Sequence, residues 1–254
     1  MTIEEKKGPI REHFEFKETI VTLLAFDKAH IDAAKEAIMR ARGEIEDHIA
    51  KCPEFMTSFE PIKPTSSQGP VPVRRMERAA DAAFVGPMAA VAGTIAWSAV
   101  EAMKEAGATF GVCDNGGDIA LLLDREFNVG LYTGEGCPLK GVIFKIPPTN
   151  GTIRGVCTSS AKVGPSISLG RSDAAVVFAD DVALADAAAT ALGNWVKKDD
   201  PSVVEQALEA VSRIKGVSGA IVVIGDRVGL WGNVPNMTRR TLDPDLITRG
   251  RMPL

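Results

Sequence analysis

The sequence predicts an α+β fold in which two pseudo-repeated halves combine antiparallel strands with Ala-rich helices. Residues 104–123 read as a helix end, a glycine, an apolar strand, a polar turn and a second apolar strand. Residues 212–231 repeat this order at nearly the same spacing. Each segment follows a long Ala-rich stretch, 87–106 in one case and about 181–215 in the other. This recurrence indicates two βαβ-type units with antiparallel hairpins.

The chain is long enough for one large domain with a shared core. We expect a single domain over residues 1–254, with halves at approximately 1–125 and 126–232. Residues 233–254 are polar and contain proline, so we expect an irregular C-terminal tail there.

The elements of the first half follow from local signals. Alternating apolar residues over 9–26 predict a β-hairpin or two strands. Asp27 is placed to cap a helix that continues to about residue 51. Five prolines over 52–73 predict a loop and a candidate lid. A short helix is expected to begin near Arg74, and Gly86-Pro87 to restart the chain as a second, buried helix.

The second half is predicted from similar signals. Residues 140–146 and 173–179 are strand-like and precede the second Ala-rich stretch, which Asp180-Asp181 is expected to cap. That stretch is expected to break between Gly193 and Pro201, where Asp-Asp-Pro is a fresh helix-start signal.

Charge and histidine content exclude several classes of function. The net charge is -4 and no long Lys/Arg run occurs, so nothing indicates nucleic-acid binding. The three histidines are His13, His30 and His48, so a His-dependent triad or a His-rich zinc site would need a histidine from the first fifth of the chain. The N-terminus lacks an apolar signal segment, which favours the cytoplasm. Residues 82–100 carry no charge, but their small residues and internal proline favour a buried helix over a membrane span.

The four cysteines predict free thiols. Cys52, Cys113, Cys137 and Cys157 form no C-x-x-C pair, which argues against a zinc knuckle or a thioredoxin motif. Reduced thiols are the expectation for a cytoplasmic protein.

The first candidate binding segment is Asp114-Asn115-Gly116-Gly117-Asp118, between two apolar strands. Consecutive glycines allow positive φ and bring N–H groups together, which suits a phosphate, and the flanking Asn and Asp suit a ribose, an amide or a metal. The alternative is a hairpin turn alone, since Asn-Gly and Gly-Asp are favoured turn residues.

The second candidate is Cys157-Thr158-Ser159-Ser160, where three hydroxyls follow an apolar strand. Arg171 lies downstream in a Gly- and Ser-rich stretch and is able to bind a phosphate through two hydrogen bonds. A solvated loop explains the same composition. A serine nucleophile would need a base other than histidine, and Lys162 is the nearest candidate.

The third candidate is Asp186-x-x-x-Thr190 in an Ala-rich helix. A spacing of four places the carboxylate and the hydroxyl on one helix face, and Mg²⁺ prefers oxygen ligands of this kind. The alternative is a solvated Asp and a Thr bonded to its own helix. Because alanines surround Asp186, we expect a tightly packed helix in which a buried carboxylate needs a partner.

Together these residues resemble a known family. Asn115-Gly116-Gly117-Asp118, Thr158-Ser159-Ser160 and Asp186-x-x-x-Thr190 follow the motif order of the ApbE superfamily of flavin transferases. The resemblance extends from Arg75 to Asn194, and Gly-Pro-Met-Ala-Ala-Val-Ala-Gly-Thr-Ile-Ala at 86–96 is its most specific part. The chain looks closest to a shorter ApbE-like family of archaea and anaerobic bacteria.

The resemblance implies a fold, a ligand and a metal. The fold would be two T-fold-like halves around a cleft, and T-fold relatives suggest a homodimer formed through sheet edges. The transferases take FMN from FAD and attach it to a protein hydroxyl, using Mg²⁺. Asp186 and Thr190 match their metal-binding Asp and Thr, while Asn115–Asp118 and Thr158–Ser160 match segments that line the flavin cleft.

Two departures from the transferase pattern bear on activity. The transferases carry His-Ile-x-Asp-Pro after the Thr-Ser motif, whereas Pro165–Asp173 here contains no histidine. Their Lys-Gly element is replaced by the lysine-free segment Met88–Thr94. The metal motif is therefore retained, and parts that position flavin differ.

Three hypotheses follow from the sequence. The first is a cytoplasmic protein or enzyme that holds Mg²⁺ and a small phosphate-containing ligand, with FAD or FMN the first to test. The second is a role in anaerobic sulfur assimilation such as homocysteine formation, which the shorter family suggests and which would draw attention to Cys113 and Cys157. The third is a non-catalytic oligomeric scaffold in which the motifs are only turns.

Overall fold

A computed structural model describes residues 8–63, 68–131, 137–160 and 170–240. The helices are α1 (Lys28–Lys51), α2 (Glu54–Thr57), α3 (Val71–Ala83), a 3₁₀ helix η1 (Pro87–Ala90), α4 (Val91–Glu105), α5 (Val182–Trp195) and α6 (Pro201–Ser212). The strands are β1 (Ile10–Phe16), β2 (Thr19–Ala25), β3 (Gly111–Asn115), β4 (Asp118–Leu122), β5 (Phe127–Gly130), β6 (Val142–Ile146), β7 (Arg154–Ser159), β8 (Ala174–Ala179), β9 (Val217–Ile224), β10 (Arg227–Gly232) and β11 (Asn236–Arg239).

Eight strands form one antiparallel sheet in the order β1-β2-β3-β4-β7-β8-β9-β10. The first four strands and the last four each form two hairpins, with helices between the hairpins. The predicted α+β class with antiparallel sheets against Ala-rich helices is therefore confirmed. The assignment of the halves as T-folds stays a prediction.

The large sheet carries a different layer on each face. Its helical face buries residues such as Leu23, Leu122 and Val222 against the helices, in the larger of two apolar clusters. Its other face packs against a small sheet of order β11-β6-β5, where Phe144 meets Phe178 with ring centroids 5.3 Å apart. The large sheet is thus buried on both faces, which explains why β2 and β8 are apolar without alternation.

Helix starts agree with the sequence signals. The Asp27 carboxylate accepts the Ala29 N–H at 2.9 Å and begins α1. Asp181 caps α5, and Asp200 caps α6 with Pro201 at its first position. Each carboxylate satisfies an N–H that has no partner within its own helix.

Other boundaries differ from expectation. The 52–73 segment is not all loop, because Glu54–Thr57 forms α2 and α3 already begins at Val71. The strand predicted at 140–146 exists as β6, but it belongs to the small sheet rather than to the large one. Within the segment expected to be an irregular tail, Asn236–Arg239 forms β11 by pairing with β6. Sequence patterns mark strands but do not specify their partners.

No single helix in the described part of the chain is long and apolar enough to cross a membrane. The α3 helix and the η1–α4 segment together reach the required length and composition, but they are bent by 106°.

Candidate functional site

The candidate site lies where α5 meets the N-terminus of α4 and the β3–β4 hairpin. Glycines in α4 and β7 allow these two elements to lie close to α5. A Cβ atom on Gly93 would lie 2.8 Å from the Asp186 Cβ, and one on Gly155 would lie 2.9 Å from the Val182 Cα. Real Cβ atoms do not approach other atoms so closely, so α4 and β7 pack against α5 through bare backbone.

Asp186 is a buried carboxylate that binds the start of another helix. Its side chain is 7% exposed, and Oδ2 accepts the Gly93 N–H at 2.8 Å. The Ala92 N–H also acts on this carboxyl. These N–H groups belong to the first turn of α4. The N–H groups of a first turn lack acceptors within their own helix and give this end of the helix a partial positive charge. Asp186 therefore caps α4 from α5, ninety-three residues away from Gly93.

Burial raises the pKa of Asp186 to about 7, although the N–H groups of Gly93 and Ala92 act in the opposite direction. Withdrawing a carboxylate from water penalises its charged form more than two backbone hydrogen bonds favour it. The neutral form of Asp186 is therefore favoured compared with that of an exposed aspartate.

Asp118 is the second carboxylate of the site. It begins β4 opposite Cys157 of β7 in the strand register, and the Thr158 N–H donates to it. Its Oδ1 atom is buried and has no hydrogen-bond partner among the residues that the structure describes. Burial raises the pKa of Asp118 well above its ordinary value, and the negative charge of nearby Asp186 raises it further. Two carboxylates from distant parts of the chain thus share one buried region.

The predicted glycine segment is a hairpin turn that is also tied to α4. Gly116 and Gly117 have φ of 69° and 105°, and Asp114 Oδ1 accepts the Gly117 N–H at 2.9 Å. Asn115 Nδ2 donates to the Ala92 carbonyl oxygen at 3.0 Å. The segment therefore forms the predicted hairpin turn, which also brings Asn115 and the start of α4 together, and its role in ligand binding stays a prediction.

The three hydroxyls of Thr158, Ser159 and Ser160 do not point the same way. Side chains alternate along β7, and Cys157 packs on the helical face of the sheet whereas Val156 packs on the other face. Ser159 shares the helical face, while the Thr158 side chain lies on the opposite one. Ser160 Oγ donates to the Asp173 carbonyl oxygen at 2.7 Å.

Thr190 and Arg171 lie at increasing distances from Asp186. Thr190 is half-buried, one turn further along α5, which is a rise of about 6 Å. Arg171 is exposed, and its N–H donates to the carbonyl oxygen of Val196 at 2.8 Å, beyond the end of α5. Its backbone is therefore about 15 Å along the helix axis from Asp186. Lys162 lies outside the described residues.

Cys113 and Cys157 are structural in this arrangement. Both are fully buried, and burial raises the pKa of each thiol well above its ordinary value. Neighbouring carboxylates raise it further: Asp114 beside Cys113, and Asp118 and Asp186 beside Cys157. Because the thiolate is the reactive form, neither side chain is set up as a nucleophile.

Sequence reasoning missed the role of Gly93. The segment 86–96 is the most specific part of the resemblance, but no function followed from its letters alone. A glycine inside an Ala-rich helix indicates close packing, and this was the available signal.

Within the described residues no group of three or more His, Cys, Asp or Glu side chains could hold a metal.

Comparisons with known proteins identify the family of this chain. A family model described as "AbpE bacteria" matches residues 2–226. A "UPF0280 protein" of Methanosarcina acetivorans is 49% identical over 246 residues, covering 97% of this chain and 96% of the relative. Another, from Methanoculleus marisnigri, is 51% identical over 242 residues and covers 95% and 96%.

Solved structures share the fold at low identity. A mutant of the flavin transferase ApbE from Vibrio cholerae is 13% identical, with a TM-score of 0.58, and the match covers 89% of this chain and 97% of that one. The flavinyl transferase ApbE of Pseudomonas stutzeri is 12% identical, with a TM-score of 0.55 and coverage of 97% and 100%. The family match spans most of the sequence, and the chain belongs to the ApbE-like family that this model describes.

Proposed function

We propose that this protein binds a flavin nucleotide, FAD or FMN, together with Mg²⁺ in the region that contains Asp118 and Asp186. The observation that carries the proposal is the buried Oδ1 of Asp118, which has no hydrogen-bond partner among the described residues and lies near a second buried carboxylate. Two such groups are costly to bury together unless a cation or a proton joins them.

The donors fit a hard cation. Asp118, Asp186 and Thr190 offer only oxygen atoms, which suit Mg²⁺ and leave room for water and phosphate ligands. When bound, the ion would neutralise phosphate charge. The chain's own residues would position the ligand: Asn115 holds the turn against α4, and the Gly116–Gly117 backbone permits a close approach.

The flavin part of the proposal rests on family and fold. The solved structures that share the fold are a flavin transferase and a flavinyl transferase. The proposal is limited to binding, because the transferase segment with histidine has no counterpart in a chain whose last histidine is His48. The buried thiols offer no support for sulfur chemistry.

Thermal unfolding with FAD, FMN or ATP, each with and without Mg²⁺, tests the proposal. A ligand that binds the folded state at 100 times its Kd stabilises it by about 2.7 kcal/mol. We expect a flavin with Mg²⁺ to raise the melting temperature of the parent protein and of Asp47→Asn, a change on the exposed face of α1. Asp118→Asn and Asp186→Asn should lose that increase. Equal shifts in all variants, or no shift with either flavin, would contradict the proposal.

A further inference from the structure

Two Asn-Gly pairs occur in the chain, Asn115-Gly116 and Asn150-Gly151. Asparagine is among the thermally labile residues, because the next backbone nitrogen can attack its side-chain amide. A glycine at the next position favours this attack, since it has no Cβ to hinder the approach. The structure places the two pairs in opposite environments.

The second pair forms the centre of an exposed two-residue turn. Asn150 and Gly151 are both exposed and have φ of 52° and 77°. Across the turn, the Thr152 N–H donates to the Thr149 carbonyl oxygen at 3.0 Å. No hydrogen bond joins the Asn150 side chain to another described residue, and no described residue accepts the Gly151 N–H. Neither the amide nor the nitrogen that would attack it is therefore held by another described group.

The turn is anchored to the core on one side. Thr149 is 1% exposed, its N–H donates to the Leu123 carbonyl oxygen at 2.9 Å, and its Oγ1 accepts the Leu123 N–H at 2.9 Å. Opening of an exposed turn requires much less free energy than global unfolding. Rotation at Asn150 can therefore bring the Gly151 nitrogen to the side-chain carbon without a change in the core.

The first pair is held in place. Asn115 is half-buried in β3, where it pairs with Asp118 of β4. Its Nδ2 donates to the Ala92 carbonyl oxygen at 3.0 Å. This nitrogen is the one that would have to leave as ammonia, so the reaction at Asn115 requires the contact with α4 and the strand pairing to break first.

From this contrast we infer that Asn150 is a site of spontaneous deamidation in the folded protein. The Gly151 nitrogen forms a bond to Cγ of Asn150, the bond from Cγ to Nδ2 breaks, and Nδ2 leaves as ammonia with the proton of the Gly151 N–H. Water then opens the cyclic imide at either of its two carbonyl carbons. The products are aspartate and isoaspartate at position 150, and the reaction consumes only water.

The two products differ in their effect on the turn. Lys104 Nζ donates to the Gly151 carbonyl oxygen at 2.7 Å, so a new carboxylate at position 150 lies one residue from an acceptor of this ammonium. Aspartate therefore suits the turn. Isoaspartate adds a carbon to the main chain between Thr149 and Thr152 and should loosen the hydrogen bond that closes the turn.

Peptide mapping by mass spectrometry, with isoaspartate resolved from aspartate, tests the inference after incubation in mildly alkaline buffer. In native protein we expect Asn150 to convert at least about tenfold faster than Asn115, because Asn115 must first break its hydrogen bond and strand pairing. In urea the two rates should become similar, since both residues precede glycine. Asn128, which is exposed and precedes Val129, should remain intact and shows that exposure alone is not sufficient.

Isoelectric focusing of variants gives an independent measurement. Native parent protein should acquire a more acidic form with time, and Asn150→Asp should migrate with that form from the start. Asn150→Gln should acquire it at least about tenfold more slowly, because the longer side chain would have to close a larger ring. Equal native rates at Asn150 and Asn115, an intact Asn150 after both have converted in urea, or acidification of Asn150→Gln at the parent rate would overturn the inference.

Discussion

The raised pKa of Asp186 predicts that this residue's own contribution to the stability of metal-free protein falls as pH rises. The ordinary value of 3.8 applies to the unfolded chain, and burial raises the folded value to about 7. The folded state therefore binds the proton more tightly, so the contribution to stability is complete below about pH 4 and is lost as pH approaches 7. Each pKa unit corresponds to about 1.4 kcal/mol, so the loss is on the order of 4 kcal/mol.

Asp186→Asn isolates this effect. The asparagine oxygen can still accept the Gly93 N–H, but the side chain no longer ionises. We expect the variant and the parent to have similar free energies of unfolding at pH 4, and the variant to be more stable by pH 8 in the presence of EDTA. Part of the pH dependence should remain in the variant, since burial also raises the pKa of Asp118.

Urea unfolding at half-unit pH intervals measures the difference. Asp47→Asn serves as the control, because its carboxylate is exposed and should leave the pH profile unchanged. Added Mg²⁺ should reverse the order at pH 8 by stabilising the parent and not Asp186→Asn. A parent protein whose stability relative to Asp186→Asn stays constant or rises from pH 4 to pH 7 without metal would refute the reasoning, since that is the behaviour of a carboxylate with an ordinary or lowered pKa.

Two further predictions follow from packing and burial. Gly93→Ala should lower the free energy of unfolding, measured with urea, by about 1–3 kcal/mol, because the new methyl group would overlap Asp186 and the Val182 carbonyl oxygen. Gly43→Ala is the control. It adds a methyl group in open space on α1 and should be neutral or stabilising. The two buried thiols should not react with a thiol reagent in native protein and should react after denaturation; rapid native labelling of either one would contradict their burial.

Local signals were enough to predict most elements of the fold. An aspartate before an apolar helix has one principal role, to accept the first N–H groups, and Asp27, Asp181 and Asp200 all do so. Strand partners depend instead on contacts between distant segments. For this reason the sequence predicts Val142–Ile146 as a strand without placing it in the small sheet, and it does not predict the strand Asn236–Arg239 that pairs with it.

The sequence contains one further signal about the orientation of the site's side chains. Once 153–156 is taken as a strand, the period of two separates Ser159 from Thr158 and Ser160. The meeting of Asp118 with Asp186 had no such signal, because it depends on how α5 crosses the sheet.

The packing of α5 explains why the Asp186 carboxylate lies in a dry region. Alanine and glycine let this helix lie close to β7 and α4, and that closeness removes water from Asp186 and raises its pKa. Stability alone would favour an apolar residue at either position, since a buried charged group without full compensation is costly. The Gly93 N–H compensates Asp186 in part, but Asp118 Oδ1 remains without a partner among the described residues. Such a cost is typical of a binding site, where a ligand completes the missing interactions.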